Sequence, residues 1–278
     1  MPRGPRRRPS ATLAGRPFSP LVVAATIVFG ALVLLPVLAI VTRALGPGTL
    51  ARFLSPGGME ALRLSLLTTS ISLGLTVLLG TPTALVLARG RFRGLRLFDA
   101  VVDLPIVLPP VVAGVGLLLV FGSSGWLGAP LRQLGVRLPF TTAAVVLAQL
   151  FVASPYYVRA LKAGFRAVPE RLEAVSLTLG KGRAETFWRV TFPLALPHLV
   201  EGAVMAWARA LGEFGATIVF AGSLAGRTRT LPLAIYAALE RDLDSATTLA
   251  ALLAGTAFVI LIVFRAALRR PVEAGRAP

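Results

Sequence analysis

Arg209 and Glu213 stand four residues apart inside the apolar stretch MAWARALGEFGATIVFAG, residues 205–222. Either charge alone at the centre of a bilayer would cost roughly 2.5–3.5 kcal/mol, so both must face protein or water. Residues four apart share one face of a helix, so the two can pair and neutralise each other. Two roles are open to such a pair: fixing the packing of a helix, or standing beside a pore or gate. Gly212 and Gly215 bracket Glu213 and permit either a close helix contact or local unwinding. With Phe214 and Thr217 they complete the candidate pore or gate set.

Other chemistry is harder to assemble. Without cysteine the chain has no thiolate nucleophile, thiolate metal ligand or disulfide. The single His198 follows Pro197 at the start of an apolar run and reads as a packed or interfacial residue. With no paired histidines and no carboxylate cluster, no metal site, cofactor site or nucleophilic triad is expected. Gly180-Lys181-Gly182 lacks both the upstream glycine and the following Ser or Thr of a phosphate loop. The chain reads as a protein that is not an enzyme by itself.

The elements that position these residues are membrane helices. The chain has 278 residues, is 55% hydrophobic and has a mean hydropathy of +0.78, which is too apolar for a soluble domain. Six apolar runs, at 21–42, 61–88, 101–121, 141–158, 194–222 and 246–264, predict an all-α integral membrane protein with six transmembrane helices. They form one domain over residues 21–268. Residues 1–20 are basic and proline-rich and read as a disordered tail, and residues 269–278 as a second tail. The first run is longer than the ~7–15-residue core of a secretory signal, so it reads as an uncleaved helix.

A formal charge of +17 raises the possibility of nucleic acid, but the basic residues lie mostly in short segments between apolar runs. Five precede the first run, four lie between the second and third, seven lie between Arg159 and Arg189, and four follow the last; the alternate segments hold two, two and three. The positive-inside rule then places both termini and residues 169–193 in the cytoplasm, and no nucleic-acid partner is needed. In DLPIVLPPVVAGVG, residues 103–116, three prolines and two glycines predict either a kinked packed helix or an irregular wall of a translocation path. Pro82 and Pro155 read as further kinks.

Residues 169–193, PERLEAVSLTLGKGRAETFWRVTFP, form the longest polar run between two strongly apolar ones. Pro169 suits the first turn of a helix and Gly180 suits its end. Leu172, Val175 and Leu179 make an apolar stripe, with Glu170, Arg171 and Glu173 on the other face. A second short helix is expected after Gly182, with Ala184, Phe187, Trp188 and Thr191 on one side, until Pro193 interrupts it. Either the stripe has a partner, or the segment is a connector whose charges only set topology.

The order Gly180, nine residues, Val190, one residue, Phe192-Pro193 resembles the EAA loop of ABC importer permeases: Glu-Ala-Ala, three residues, Gly, nine residues, Ile, one residue, Leu-Pro. The Glu-Ala-Ala positions hold Ala174, Val175 and Ser176, and the acid, Glu173, comes one residue early. ARALGEFGATIVFAGSLAGRTRTLPLAIY, residues 208–236, resembles molybdate permeases, which share GEFG with the sulfate ones. LPIVLPP, residues 104–110, resembles the LPxVLPP segment of both. The resemblance covers roughly residues 61–264. It implies a type I ABC importer permease fold in the bacterial inner membrane and a homodimer of permease subunits. Two ABC ATPase subunits would bind the coupling loops through Leu172, Glu173, Ala174, Val175, Leu179 and Gly180. A periplasmic or lipid-anchored binding protein would deliver the cargo. The cargo it implies is molybdate, with sulfate, thiosulfate or tungstate as alternatives. A more distant alternative is an ion-coupled secondary anion transporter, for which inverted repeats are expected and none is visible in the sequence.

Overall fold

The structure, a computed structural model, describes the backbone of residues 19–46 and 48–274 and the side chains as far as residue 264. Most of the predicted N-terminal tail and the last four residues lie outside the described residues. The chain runs α1 (Pro20–Ala44), α2 (Thr49–Phe53), α3 (Pro56–Arg89), α4 (Leu95–Val107), α5 (Pro110–Phe121), α6 (Gly128–Gln133), α7 (Thr142–Ala167), α8 (Glu170–Thr178) and α9 (Arg183–Thr186). A π-helical turn (Phe187–Thr191) then leads into α10 (Phe192–Leu211), α11 (Gly215–Phe220), α12 (Leu231–Leu239) and α13 (Leu243–Ala274). Ser-Pro opens α1 and α3. Ser19 Oγ accepts the Val22 N–H and Ser55 Oγ the Gly58 N–H, while each proline sits where an N–H would be orphaned anyway.

Among the described residues five helices are long and apolar enough to cross a membrane: α1, α3, α7, the continuous helix Arg183–Leu211 and the Leu243–Phe264 part of α13. The pair α4 and α5 is bent by 117°, a broken span or a re-entrant loop, and counts as the sixth span if the two are taken as one. The predicted run 101–121 is therefore corrected to two helices. Leu108 is extended at φ −68°, ψ 131°, as a residue before proline prefers, and Pro109-Pro110 removes two successive N–H donors. The predicted run 194–222 is also corrected: its helix ends at Leu211 and resumes as α11 after a break at residues 212–214.

Pro193 does not interrupt the helix that begins at Arg183. The π turn widens the coil just ahead of it, with the Phe192 N–H bonded to Phe187 O, so the regular ladder is already broken where proline has no donor to give. At the far end α13 continues to Ala274, past Pro271 and into the predicted tail.

The centre of the bundle is α7, clasped by α3 and α10. Ala84, Leu87, Tyr157, Leu161, Phe165, Ala203 and Ala206 form its main core. Small residues bring the backbones together. A Cβ on Gly80 would lie 2.8 Å from the Tyr157 ring, one on Gly164 2.5 Å from His198 Cβ, and one on Gly202 2.9 Å from Ala160 Cβ. The buried face of α3 carries Ser65, Thr68, Thr69, Ser72 and Thr76. Ser65 Oγ accepts the Leu231 N–H at 2.7 Å, satisfying the start of α12, and Gln149 Nε2 donates to Thr69 at 3.3 Å. α4 is held to α7 by charge: Lys162 donates to Asp99 at 2.5 Å and Arg159 lies 3.8 Å from Asp103. α1 and α13 stand at the periphery and leave most of their apolar surface facing outward.

Candidate functional site

The break between α10 and α11 gathers the polar groups that the sequence placed in one apolar run. Helix α10 stops at Gly212, whose N–H still bonds to Ala208 O, and α11 restarts at Gly215. Glu213 sits in the gap with its side chain only 1% exposed. Its Oε1 accepts the Ala216 N–H at 2.7 Å, capping α11 with a full negative charge at the positive end of the helix. Its Oε2 lies 2.7 Å from Arg209 Nη1, an ion pair between residues four apart. Arg209 remains 26% exposed. The pair thus has a buried negative end and a partly open positive one. The expected pairing is present, but it crosses a helix break instead of a continuous helical turn.

A second break is interlocked with the first. Gly215 packs on the start of α5, where an added Cβ would lie 2.7 Å from Pro110 Cβ. One turn on, a Cβ on Gly114 would lie 2.7 Å from Val219 and 2.9 Å from Ala216 O. The Pro109-Pro110 kink and the Glu213 turn therefore lean on each other through glycines. Gly212 is different, since nothing beyond Ala208 O at 3.6 Å meets its missing Cβ. Phe214 packs on Tyr236 of α12, ring centroids 5.3 Å apart, and Thr217 is fully buried with its hydroxyl unpartnered. Arg209, Glu213, Phe214, Gly215 and Thr217 are thus brought together around two broken helices.

At the end of the bundle beyond α7, helix α8 occupies residues 170–178, with Pro169 as its N-cap instead of within its first turn. Gly180 adopts φ +80°. The Lys181 N–H bonds to Ser176 O and the Gly180 N–H to Leu177 O, which together close a Schellman motif. Leu172, Val175 and Leu179 are 40%, 54% and 74% exposed, so the stripe is unpartnered among the described residues, and Ala174 is exposed beside it. Glu173 turns the other way. Its Oε1 takes hydrogen bonds from Arg89 Nη2 at 2.9 Å and Thr191 Oγ1 at 2.8 Å. Sequence reasoning missed Arg89 and Thr191, because Arg89 looked like one of several basic residues setting topology and Thr191 like part of an apolar side.

Residues 77–273 match the family model for the binding-protein-dependent transport system inner membrane component. The chain belongs to this family. The permease is 47% identical over 230 residues to the molybdenum transport system permease protein ModB of Mycobacterium tuberculosis, covering 83% of this chain and 87% of that protein. It is 36% identical over 243 residues to the sulfate transport system permease protein CysW of Synechococcus elongatus, covering 86% of this chain and 85% of that one. Its fold matches a crystal structure of a bacterial ABC transporter involved in the import of the acidic polysaccharide alginate, with a TM-score of 0.74 at 16% identity over 90% of this chain and 94% of that chain. The permease therefore has the type I ABC importer permease fold.

Proposed function

We propose that this permease is the transmembrane subunit of an ATP-driven importer that moves a tetrahedral oxyanion, molybdate, across the inner membrane. The observation that carries the cargo is the 47% identity, over most of both chains, to the molybdenum permease. Two copies form the path, two ABC ATPase subunits engage the two α8 helices, and a binding protein on the outer side delivers the anion. The exposed stripe Leu172, Val175 and Leu179 with Ala174 is the docking face, and Gly180 sets the turn that presents it. Arg209 and Glu213 gate the path. ATP binding draws the α8 helices together, and the interlocked breaks open the bundle outward as the second of two states that cargo and nucleotide bias. A half-open Arg209 beside a buried acid suits a dianion that must pass without being retained.

The decisive experiment is uptake into proteoliposomes holding the permease, its ATPase and its binding protein. Molybdate uptake should require ATP and survive dissipation of the membrane potential. Uptake that persists without ATP and collapses with the potential would instead indicate a secondary anion transporter. The sulfate relative motivates one second reading, a sulfate importer; competition for the binding protein separates the two, molybdate displacing sulfate if the first holds. The basic-residue pattern sets the orientation. A reporter fused after Arg183 should lie in the cytoplasm and one after Arg132 in the periplasm, and opposite labelling at both would overturn it.

A further inference from the structure

We infer that Arg89 is the positioning residue through which the α8 helix grips the membrane bundle, its pairing with Glu173 carrying a displacement of α8 into α3, α7 and α10. The inference rests on the reading of α8 as the docking element. Apolar packing gives α8 little hold: Ser176 is its one buried residue. Behind the helix opens a cleft of about 370 Å³, lined by Leu85 and Arg89 of α3, Glu173 and Leu177 of α8, and Thr186 and Phe187 beyond it. What crosses from α8 to its surroundings is polar and directional. Arg89, the last residue of α3, donates from Nη2 to Glu173 Oε1 at 2.9 Å and to Val168 O, at the end of α7, at 3.0 Å. Its Nη1 reaches Glu170 Oε1 at 3.4 Å. Glu173 Oε1 also accepts from Thr191, the last residue of the π turn that leads into α10. One guanidinium and one carboxylate oxygen thus join four elements.

The geometry suits transmission better than stabilisation. Arg89 and Glu173 side chains are 23% and 24% exposed, so water still reaches the pair and screens part of its attraction. A planar guanidinium fork, however, fixes direction as well as distance, where apolar surfaces across an open cleft would slide. A pull on α8 is therefore delivered to α3 and α7 through Arg89 and to the π turn through Glu173. The Ser176–Thr186 hydroxyl contact at 2.9 Å also ties α8 to the helix that continues into α10, a tie that does not pass through Arg89 and leaves α3 reached from α8 by the Arg89 route.

The test uses the complete complex of permease, ATPase and binding protein. Arg89→Ala should assemble and hydrolyse ATP at the basal rate but lose about tenfold in uptake and in stimulation by cargo-loaded binding protein, within the usual span of coupling between sites. Arg89→Lys should recover part of that loss, since an ammonium keeps charge and donors but not the fork. Because the chain has no cysteine, Arg89→Cys with Glu173→Cys can be bridged by a short bis-maleimide, with the wild-type complex reporting any reaction on its partners. The bridge should restore coupling that the unbridged pair lacks. Wild-type stimulation in Arg89→Ala, or no recovery on bridging, would overturn the inference. So would failure of both Arg89→Ala and Arg89→Lys to assemble, which would make Arg89 a folding residue. If the wild-type complex itself shows no stimulation by the binding protein, the docking reading has failed instead.

Discussion

Arg209→Leu is expected to reach the membrane in far smaller amounts than the wild type, and to do worse than the variant that removes both charges. The Glu213 carboxylate is 1% exposed and would keep the Ala216 N–H but lose its counter-charge. Breaking a buried pair from one side costs roughly 3–5 kcal/mol. The reverse change is milder. Glu213→Gln keeps an oxygen for the Ala216 N–H, and the guanidinium left behind is already 26% exposed and can find water. Arg209→Leu combined with Glu213→Gln should therefore recover abundance. Transport separates the two roles of the pair. If it only packs, the double variant transports normally; if it gates, the double variant assembles with the ATPase but hydrolyses ATP without regard to the binding protein. The second result is expected, because the pair sits where two helix breaks brace each other through Gly215 and Gly114. Uptake and basal hydrolysis per inserted protein for both single variants and the double decide it, and wild-type coupling in the double would sink the gate.

Gly180→Leu and Leu179→Asp should leave the permease inserted and transport abolished or nearly so, each for its own reason. A left-handed backbone costs a side-chain-bearing residue roughly 1–2 kcal/mol, and Gly180 sits at φ +80° in the Schellman turn. A side chain there re-aims the chain that follows α8. Leu179 is 74% exposed, so a carboxylate costs the isolated permease almost nothing. Placed against an apolar docking groove it forfeits roughly 1.5–3 kcal/mol of burial and adds a desolvated charge. Pull-down of the ATPase and binding-protein-stimulated hydrolysis measure both, with uptake as the final readout. Normal values in both variants would make α8 a plain connector.

Much of this was legible without coordinates. Proline and glycine act on their own neighbours, so Gly180 announced a helix end, and three prolines with two glycines in residues 103–116 announced an irregular span. Pro193 misled because its local rule was overridden by a π turn, which no residue type in Phe187–Thr191 signals. The apolar runs marked the membrane-crossing helices because a bilayer imposes length and hydropathy on each span separately. Arg209 and Glu213 stood out because charge in such a run is costly wherever it ends up.

What the sequence by itself determined about this protein is thus what depends on near neighbours and on the solvent: an all-helical membrane chain, its candidate spans, the exposed stripe on α8 and the presence of a charged pair. The tertiary structure alone decided which way those groups face. The helix break at Glu213 packs through Gly215 on Pro110, about a hundred positions earlier, and Glu173 turns inward to an arginine 84 positions away. Periodicity along a helix shows that residues share a face. It does not show what lies opposite, because the energy of a buried carboxylate is set by the partner that the fold brings to it.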